Sequence, residues 1–221
     1  MRYITFALAK GRLAHKAMCM LCEIGAANSE MREEMKESRK LVFVDEQRKF
    51  KFFLAKASDV PTYVEYGAAD IGIAGADTLL EEKRDLYEVA DLGFGSCRIV
   101  VAGTPAMKSM FGRDNNIRVS TKYPRIASEY FHGTRRQTIE IIKLNGSVEL
   151  GPIVGLSDVI VDIVETGSTI KENGLEIIDE ICEVSARMVV NRVSMKMERT
   201  RISELIEKVK ECASSKAQAQ W

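Results

Sequence analysis

Apolar residues recur along the chain with two different periods, and the points where one gives way to the other lay out an α/β order. Short β-branched and aromatic runs alternate with stretches in which apolar side chains return every three or four positions. Residues 3–9 read as a first strand, leading through Lys10-Gly11-Arg12 into a helical pattern that runs to about Ile24. The charged stretch 30–40 reads as helix, and 41–45 and 50–54 as strands. Residues 59–66 read as a short helix, with Pro61 tolerated in a first turn that has no use for its missing N–H. A strand over 70–74 and a helix over 77–83 follow.

From Leu92-Gly-Phe-Gly95 the pattern restarts. It predicts strands at 98–102, 117–121, 138–144 and 160–164, with helices at 124–131 and 156–159. Residues 177–184 and 187–190 read as strands, and 199–212 as an amphipathic helix with Ile202, Leu205, Ile206 and Val209 on one face. Two α/β lobes of similar size fit this order better than one sheet. Lobe I takes 1–92 and the returning section from about 178 to 212, lobe II takes 93–177, and 213–221 reads as a frayed tail.

Composition narrows the class. A chain of 221 residues, 46% hydrophobic and 29% charged, is an ordinary globular protein. Its 32 Lys and Arg balance 32 Asp and Glu, so no overall field favours nucleic acid or a membrane surface, and any anion has to be captured locally. The apolar run at the N-terminus is too short for a signal peptide and reads as a strand of a cytoplasmic protein. Cys19 and Cys22 form a C-x-x-C inside a helical stretch, where half-buried thiols are expected rather than a redox pair. His15 and His132 are too far apart in sequence to suggest a metal site or a triad.

The most informative stretch is Asp162-Ile-Val-Glu165-Thr166-Gly167-Ser168-Thr169. An apolar strand ends in acids and then in hydroxyls around one glycine. Such a loop can hold a phosphate on backbone N–H groups and hydroxyls at the start of a helix; seen alone it reads first as a strand-to-helix turn with Ser and Thr caps, and its context has to decide. Asp162 and Glu165 suit a ribose diol or a magnesium ion beside the phosphate. Lys10-Gly11-Arg12 and Thr121-Lys122-Tyr123-Pro124 repeat the strand-end arrangement with cations. Gly75 ends a strand, and Glu149 offers a carboxylate beside a glycine turn. Loops at strand ends of open α/β sheets converge where ligands bind.

Residues 146–175, around Glu149-Leu-Gly-Pro and Val164-Glu-Thr-Gly-Ser-Thr169, closely resemble the ATP phosphoribosyltransferase family. The likeness extends to Ala9-Lys-Gly-Arg-Leu13, to residues 57–75, to Cys97-Arg98, to Thr121-Lys-Tyr-Pro124 and to Ser185-Ala-Arg187, and so spans nearly all of the chain. It implies a two-lobed fold of the type II periplasmic-binding-protein kind with the active site in the interlobe cleft. The implied reaction is transfer of 5-phosphoribosyl from phosphoribosyl pyrophosphate (PRPP) to N1 of ATP, the first step of histidine biosynthesis.

By the same resemblance the 5-phosphate lies on Thr166, Gly167, Ser168 and Thr169, with the ribose hydroxyls near Asp162 and Glu165. Lys10, Gly11, Arg12, Gly75, Arg98, Lys122, Tyr123 and Glu149 line the ATP side of the cleft. Two arginines are expected on the pyrophosphate: one matches Arg39, and the other aligns with Lys56, where this chain departs from the usual residue. Mg2+ is expected to be held mainly by substrate phosphates, without dedicated protein ligands. The length matches the short form, which implies a homodimer assembling with a histidyl-tRNA-synthetase-like regulatory subunit in a hetero-octamer. The rival readings are a phosphoribosyltransferase for another base and a non-catalytic two-lobed binding protein.

Overall fold

Ile4–Ala9 is apolar at all but one position, the composition of a strand covered on both faces, and it forms β1 at the middle of a six-stranded sheet. The computed structural model describes residues 2–112 and 116–218. The chain divides into two units, Met1–Gly95 with Ser185–Trp221 and Ser96–Val184. After β1 the first unit continues with α1 (Arg12–Glu23), α2 (Ser29–Glu37), β2 (Val42–Asp45), β3 (Phe50–Ala55), α3 (Val60–Glu65), β4 (Ile71–Gly75), α4 (Ala76–Glu82) and β5 (Tyr87–Asp91). The second unit holds β6 (Cys97–Gly103), α5 (Pro105–Met110), β7 (Ile117–Thr121), α6 (Pro124–Ser128), β8 (Ile139–Lys143), α7 (Leu150–Ile153), β9 (Val159–Val164), α8 (Ser168–Glu172) and β10 (Glu176–Val184). The chain then returns with β11 (Ala186–Val190), α9 (Arg192–Met197) and α10 (Arg199–Gln218).

The first sheet runs β2-β3-β1-β4-β11-β5. β1 pairs in parallel with β3 and β4, and its ladder with β3 runs from Ile4 opposite Phe50 to Ala9 opposite Ala55, so both strands end level. One face packs Phe6, Phe50 and Phe52 against α1, α2 and α10, with Phe6 stacked on Phe52 at 4.8 Å. The other face buries Ala7, Ala74 and Val189 under Val60 and Val64 of α3. Asp70, 3% exposed just before β4, accepts from Thr5 N at 2.8 Å and from Arg2 Nη2 at 2.8 Å, and fastens the strand ends far from Gly75.

The second sheet runs β10-β6-β9-β7-β8. β6 is antiparallel to β9 and β10, while β7 is parallel to β8 and β9. Val100, Ile160 and Val164 meet Ile170 and Leu175 in its core, which pins the short α8 against β9.

Four of the predicted spans come out differently in the structure. No helix occupies 156–159: the helical turn is α7, ahead of Gly155, and Val159 already opens β9 because its side chain is fully buried in the sheet. The stretch 178–184 belongs to the second unit, since β10 pairs along β6 from Glu176 opposite Gly103 to Val184 opposite Cys97. The tail is helical to Gln218 rather than frayed from 213: Ala213 is buried and Lys216 pairs with Glu23 at 2.6 Å. Residues 219–221 of that expected tail lie outside the described residues. The helix predicted over 124–131 winds on past Ser128 as a π-helical segment, Glu129–Arg135, which buries the consecutive rings of Tyr130 and Phe131.

That segment carries a small polar cluster. The Tyr130 hydroxyl donates to Asp179 of β10, and the Arg135 guanidinium donates to both. Burial, and then the hydrogen bond to the Asp179 carboxylate, push the Tyr130 phenol up to about 12. The protonated phenol therefore stabilises the second unit fully below the unfolded tyrosine value of about 10, and that contribution is lost as pH rises through the folded value. A tyrosinate absorbance titration is expected to show a late component in the parent chain that is missing from Tyr130→Phe. Identical curves would disprove the pairing.

Candidate functional site

The hydroxyl loop leaves the C-terminal end of β9. Gly167, at φ 82 and ψ 3, is the N-cap of α8, a left-handed position that glycine adopts without steric cost. This turn aims the first amides of α8 out of the helix end, where they have no acceptor within the helix. Thr166 and Ser168 touch through their hydroxyls at 3.1 Å, and the Ser168 amide leans toward Thr166 Oγ1 at 3.4 Å. Glu165, Thr166, Ser168 and Thr169 are exposed, whereas Ile170, 4% exposed, anchors the turn. Asp162 lies on the same strand face as Ile160 and Val164 and accepts from Ile163 N at 2.8 Å.

Parallel pairing with β7 brings a second strand end alongside, with Thr121 opposite Val161. Thr121 is fully buried. Its hydroxyl donates to Val161 O at 2.7 Å and accepts from Tyr123 N at 2.8 Å, which fixes the turn that carries Lys122. The ammonium of Lys122 sits 5.5 Å from the Tyr123 ring centre, and Tyr123 itself is 3% exposed, so its ring packs inside the unit beneath Lys122. Glu149 is the half-buried N-cap of α7, held by the buried Val148 beside it. Arg98 is the second residue of β6, opposite Val164, and is engaged with Glu180 at 2.8 Å, both side chains 40% exposed. A phosphate reaching Arg98 competes with an ion pair already screened by water.

In the first unit the level ends of β1, β3 and β4 gather the other candidates on one sheet edge. Lys10 N donates to Ala55 O at 2.9 Å, so Lys10 and Lys56 leave neighbouring strands side by side. Gly11, at φ 98 and ψ −149, makes the sharp turn into α1 that puts Arg12 in its first helical position. Lys56 caps a single 3-10 turn and is exposed. Gly75 closes β4, and the Asp77 carboxylate occupies the space its side chain would take. Arg39 is exposed in the loop before β2, whose approach is set by Leu54 N donating to Leu41 O at 2.9 Å. Lys10, Arg12, Arg39 and Lys56 thus give this edge an excess of positive charge.

Among the described residues, no group of three or more His, Cys, Asp or Glu side chains is placed to hold a metal ion. Among the same residues, no helix is long and apolar enough to cross a membrane. One polar cluster was not legible in advance: Asp91 accepts from Gly93 N and from the Ser185 hydroxyl, each at 2.9 Å, and pairs with Arg187 at 3.1 Å. It ties together the two chain segments that join the units. Ser185 and Arg187 lie in a stretch the resemblance covers, but the only sequence sign of their partner is an acid just ahead of Leu92-Gly-Phe-Gly95.

Residues 56–211 match the family described as HisG: ATP phosphoribosyltransferase. The chain belongs to the ATP phosphoribosyltransferase family. It is 61% identical over 211 residues to an ATP phosphoribosyltransferase of Lachnoclostridium phytofermentans, covering 96% of this chain and 97% of that one. An ATP phosphoribosyltransferase of Lachnospira eligens is likewise 61% identical, over 95% of this chain and 96% of its own. Among solved structures, the chain is similar to one in the ATP phosphoribosyl transferase (HisG:HisZ) complex from Thermotoga maritima. That match has a TM-score of 0.79 at 36% identity and covers 96% of this chain and 99% of that chain. Tv2483 bound to L-arginine shares the two-lobed, periplasmic-binding-protein-like fold alone, with a TM-score of 0.59 at 9% identity over 99% of this chain and 86% of that chain.

The buried hydroxyl of Thr121 is the cleanest test of how this family member holds its second strand end. Thr121→Val keeps the shape and strands Tyr123 N, and is expected to cost about 1–3 kcal/mol in denaturant unfolding. Thr121→Ser, which keeps the hydroxyl, should recover most of that loss.

Proposed function

We propose that this family member performs its phosphoribosyl transfer with the two strand-end edges described above, one on each unit. The reaction moves the 5-phosphoribosyl group of PRPP to N1 of ATP, forms the N1–C1′ bond, releases pyrophosphate, and is the first step of histidine biosynthesis. The observation that carries the residue assignment is the exposed hydroxyl loop turned by Gly167 onto the start of α8. Amides and hydroxyls of Thr166, Gly167, Ser168 and Thr169 bind the 5-phosphate, and Asp162, with Glu165 beside it, accepts from the ribose hydroxyls.

Displacement at the anomeric carbon passes through an oxocarbenium-like state, so the chain has to orient the adenine nitrogen and stabilise charge on the departing pyrophosphate. Arg39 and Lys56 take the second task. Lys10, Gly11, Arg12 and Gly75 on the first unit, with Arg98, Lys122, Tyr123 and Glu149 on the second, bind and orient the ATP. Tyr123 acts from inside, as the support of Lys122. Mg2+ would be held mainly by the substrate phosphates, without dedicated protein ligands, and would neutralise part of their charge; Asp162 and Glu165 are the carboxylates that suit such an ion next to a phosphate.

Likeness to a chain of the T. maritima HisG:HisZ complex supports assembly with a second, regulatory subunit; that subunit is proposed to be related to histidyl-tRNA synthetase and to join a homodimer of this chain in a hetero-octamer, in the cytoplasm. No nucleic-acid or membrane partner is assigned.

Incubation with PRPP and either ATP or free bases tests the reading, with pyrophosphate release as the signal. Turnover with ATP alone supports it, and turnover with a free base would replace it. Lysine keeps the charge of the usual arginine but not its bidentate fork. Lys56→Arg should therefore keep full activity, while Lys56→Ala lowers kcat by about tenfold or more, roughly 1.4 kcal/mol of barrier, with little change in ATP binding. Unchanged turnover in Lys56→Ala would remove it from the pyrophosphate. Mixing with the candidate regulatory subunit should raise the measured mass and confer sensitivity to histidine; no change in either would reject that partner.

A further inference from the structure

A groove between α1 and α2 opens into a cavity of about 250 Å³, lined by Gly11, Ala14, His15, Met18, Arg32, Met35, Lys36 and Leu54. Packed protein interiors leave few spaces larger than a water molecule, so a void of this size against Ala14, Met18 and Met35, each under 9% exposed, is a feature of the surface and not a packing fault. Its floor is apolar and soft, because two methionine thioethers can adjust to a flat guest. Its rim is basic: His15 on α1 faces Arg32 and Lys36 on α2. Glu33, next to Arg32 on α2, is already held by it at 2.8 and 3.1 Å, and Lys36 adds a cation beyond that pair. Cys19 braces two of these side chains, with its sulfur 3.9 Å from His15 Nδ1 and 4.0 Å from Arg32 Nη1.

We propose that this groove is a binding site for a compact organic anion, a flat apolar body seated on Met18, Met35, Ala14 and Leu54 with its phosphate or carboxylate facing Arg32 and Lys36. The phosphoribosyl transfer assigned above makes no use of it beyond Gly11, and the proposal stands apart from that reading. Its guest lies against the turn that separates Lys10 from Arg12, so occupancy stiffens the start of α1 at the cationic edge.

The test uses the full chain with carbon-13 methyl-labelled methionine, the Met18 and Met35 signals being assigned through Met18→Leu and Met35→Leu. Phenyl phosphate, benzoate and inorganic phosphate are the probes. These two methyls report the groove and not the hydroxyl loop of the other unit, so phosphate binding at that loop does not enter the readout. One of the two aromatic probes should shift both signals saturably, and the tighter of them identifies the headgroup. Inorganic phosphate, which buries no ring, should need about tenfold higher concentration. Arg32→Gln, at a half-buried position of α2, and Lys36→Gln, at an exposed one, should each weaken the aromatic probe about fivefold through loss of a charge-assisted hydrogen bond. The proposal is overturned if neither aromatic probe moves the two signals, if inorganic phosphate binds as tightly as they do, or if both charge-removing variants bind like the parent.

Discussion

Parallel pairing is the constraint on which the rest depends. A parallel ladder with no register break makes neighbouring strands stop at the same height, and the run from Ile4 opposite Phe50 to Ala9 opposite Ala55 does this for β1 and β3. Whatever follows those strands is delivered to one line. Lys10 and Lys56 become neighbours through that line although 46 positions separate them in the chain numbering. The β1–β4 pairing, with Leu8 opposite Ile73, adds Gly75 to the same row. Charge is concentrated there by hydrogen-bond geometry in the core, although the chain as a whole carries no net charge.

The second unit repeats the device with different chemistry. β7 stops at Thr121, opposite Val161 and three residues short of the end of β9 at Val164, and the Thr121 hydroxyl ties the two by bonding to the Val161 carbonyl. One row of strand ends then carries hydroxyls, acids and a cation where the other carries mainly cations. Anchorage comes from below in each case: Ile170 and Leu175 hold the hydroxyl loop, as Leu8 and Ala9 hold the Lys10 turn. The exposed groups can face ligand because the apolar residues beside them fix the backbone that bears them.

Much of this was legible from residue order alone. Strand periods, the glycine turns at positions 11 and 167, and the strand-end placement of Lys10, Lys122 and Thr166 follow from local chemistry. The misreadings are of a different kind. The stretch 156–159 looked helical because its hydrophobic spacing is ambiguous over four residues, and only burial in the sheet decides that Val159 is a strand residue. β10 was placed with the wrong unit because its partner, β6, lies far off in sequence and pairing choice leaves no local mark. Helix at 213–218 was missed since its hold is long-range, the ion pair of Lys216 with Glu23. The strand Tyr87–Asp91 and the helices Pro105–Met110 and Arg192–Met197 were passed over because each is short and carries too few buried apolar positions to show a period.

The order of strands in the first sheet also bears on how the molecule is made. β11 lies between β4 and β5, and β5 reaches the rest of the sheet through it. Everything from Ser96 to Val184 is translated before that filler strand exists. During synthesis the growing chain therefore exposes the bare edge of β4 for the whole time the second unit takes to emerge, a sticky surface that invites intermolecular pairing. Completion comes late and all at once: emergence of 186–190 closes the gap, and α10 then seals the Phe6 and Phe52 face.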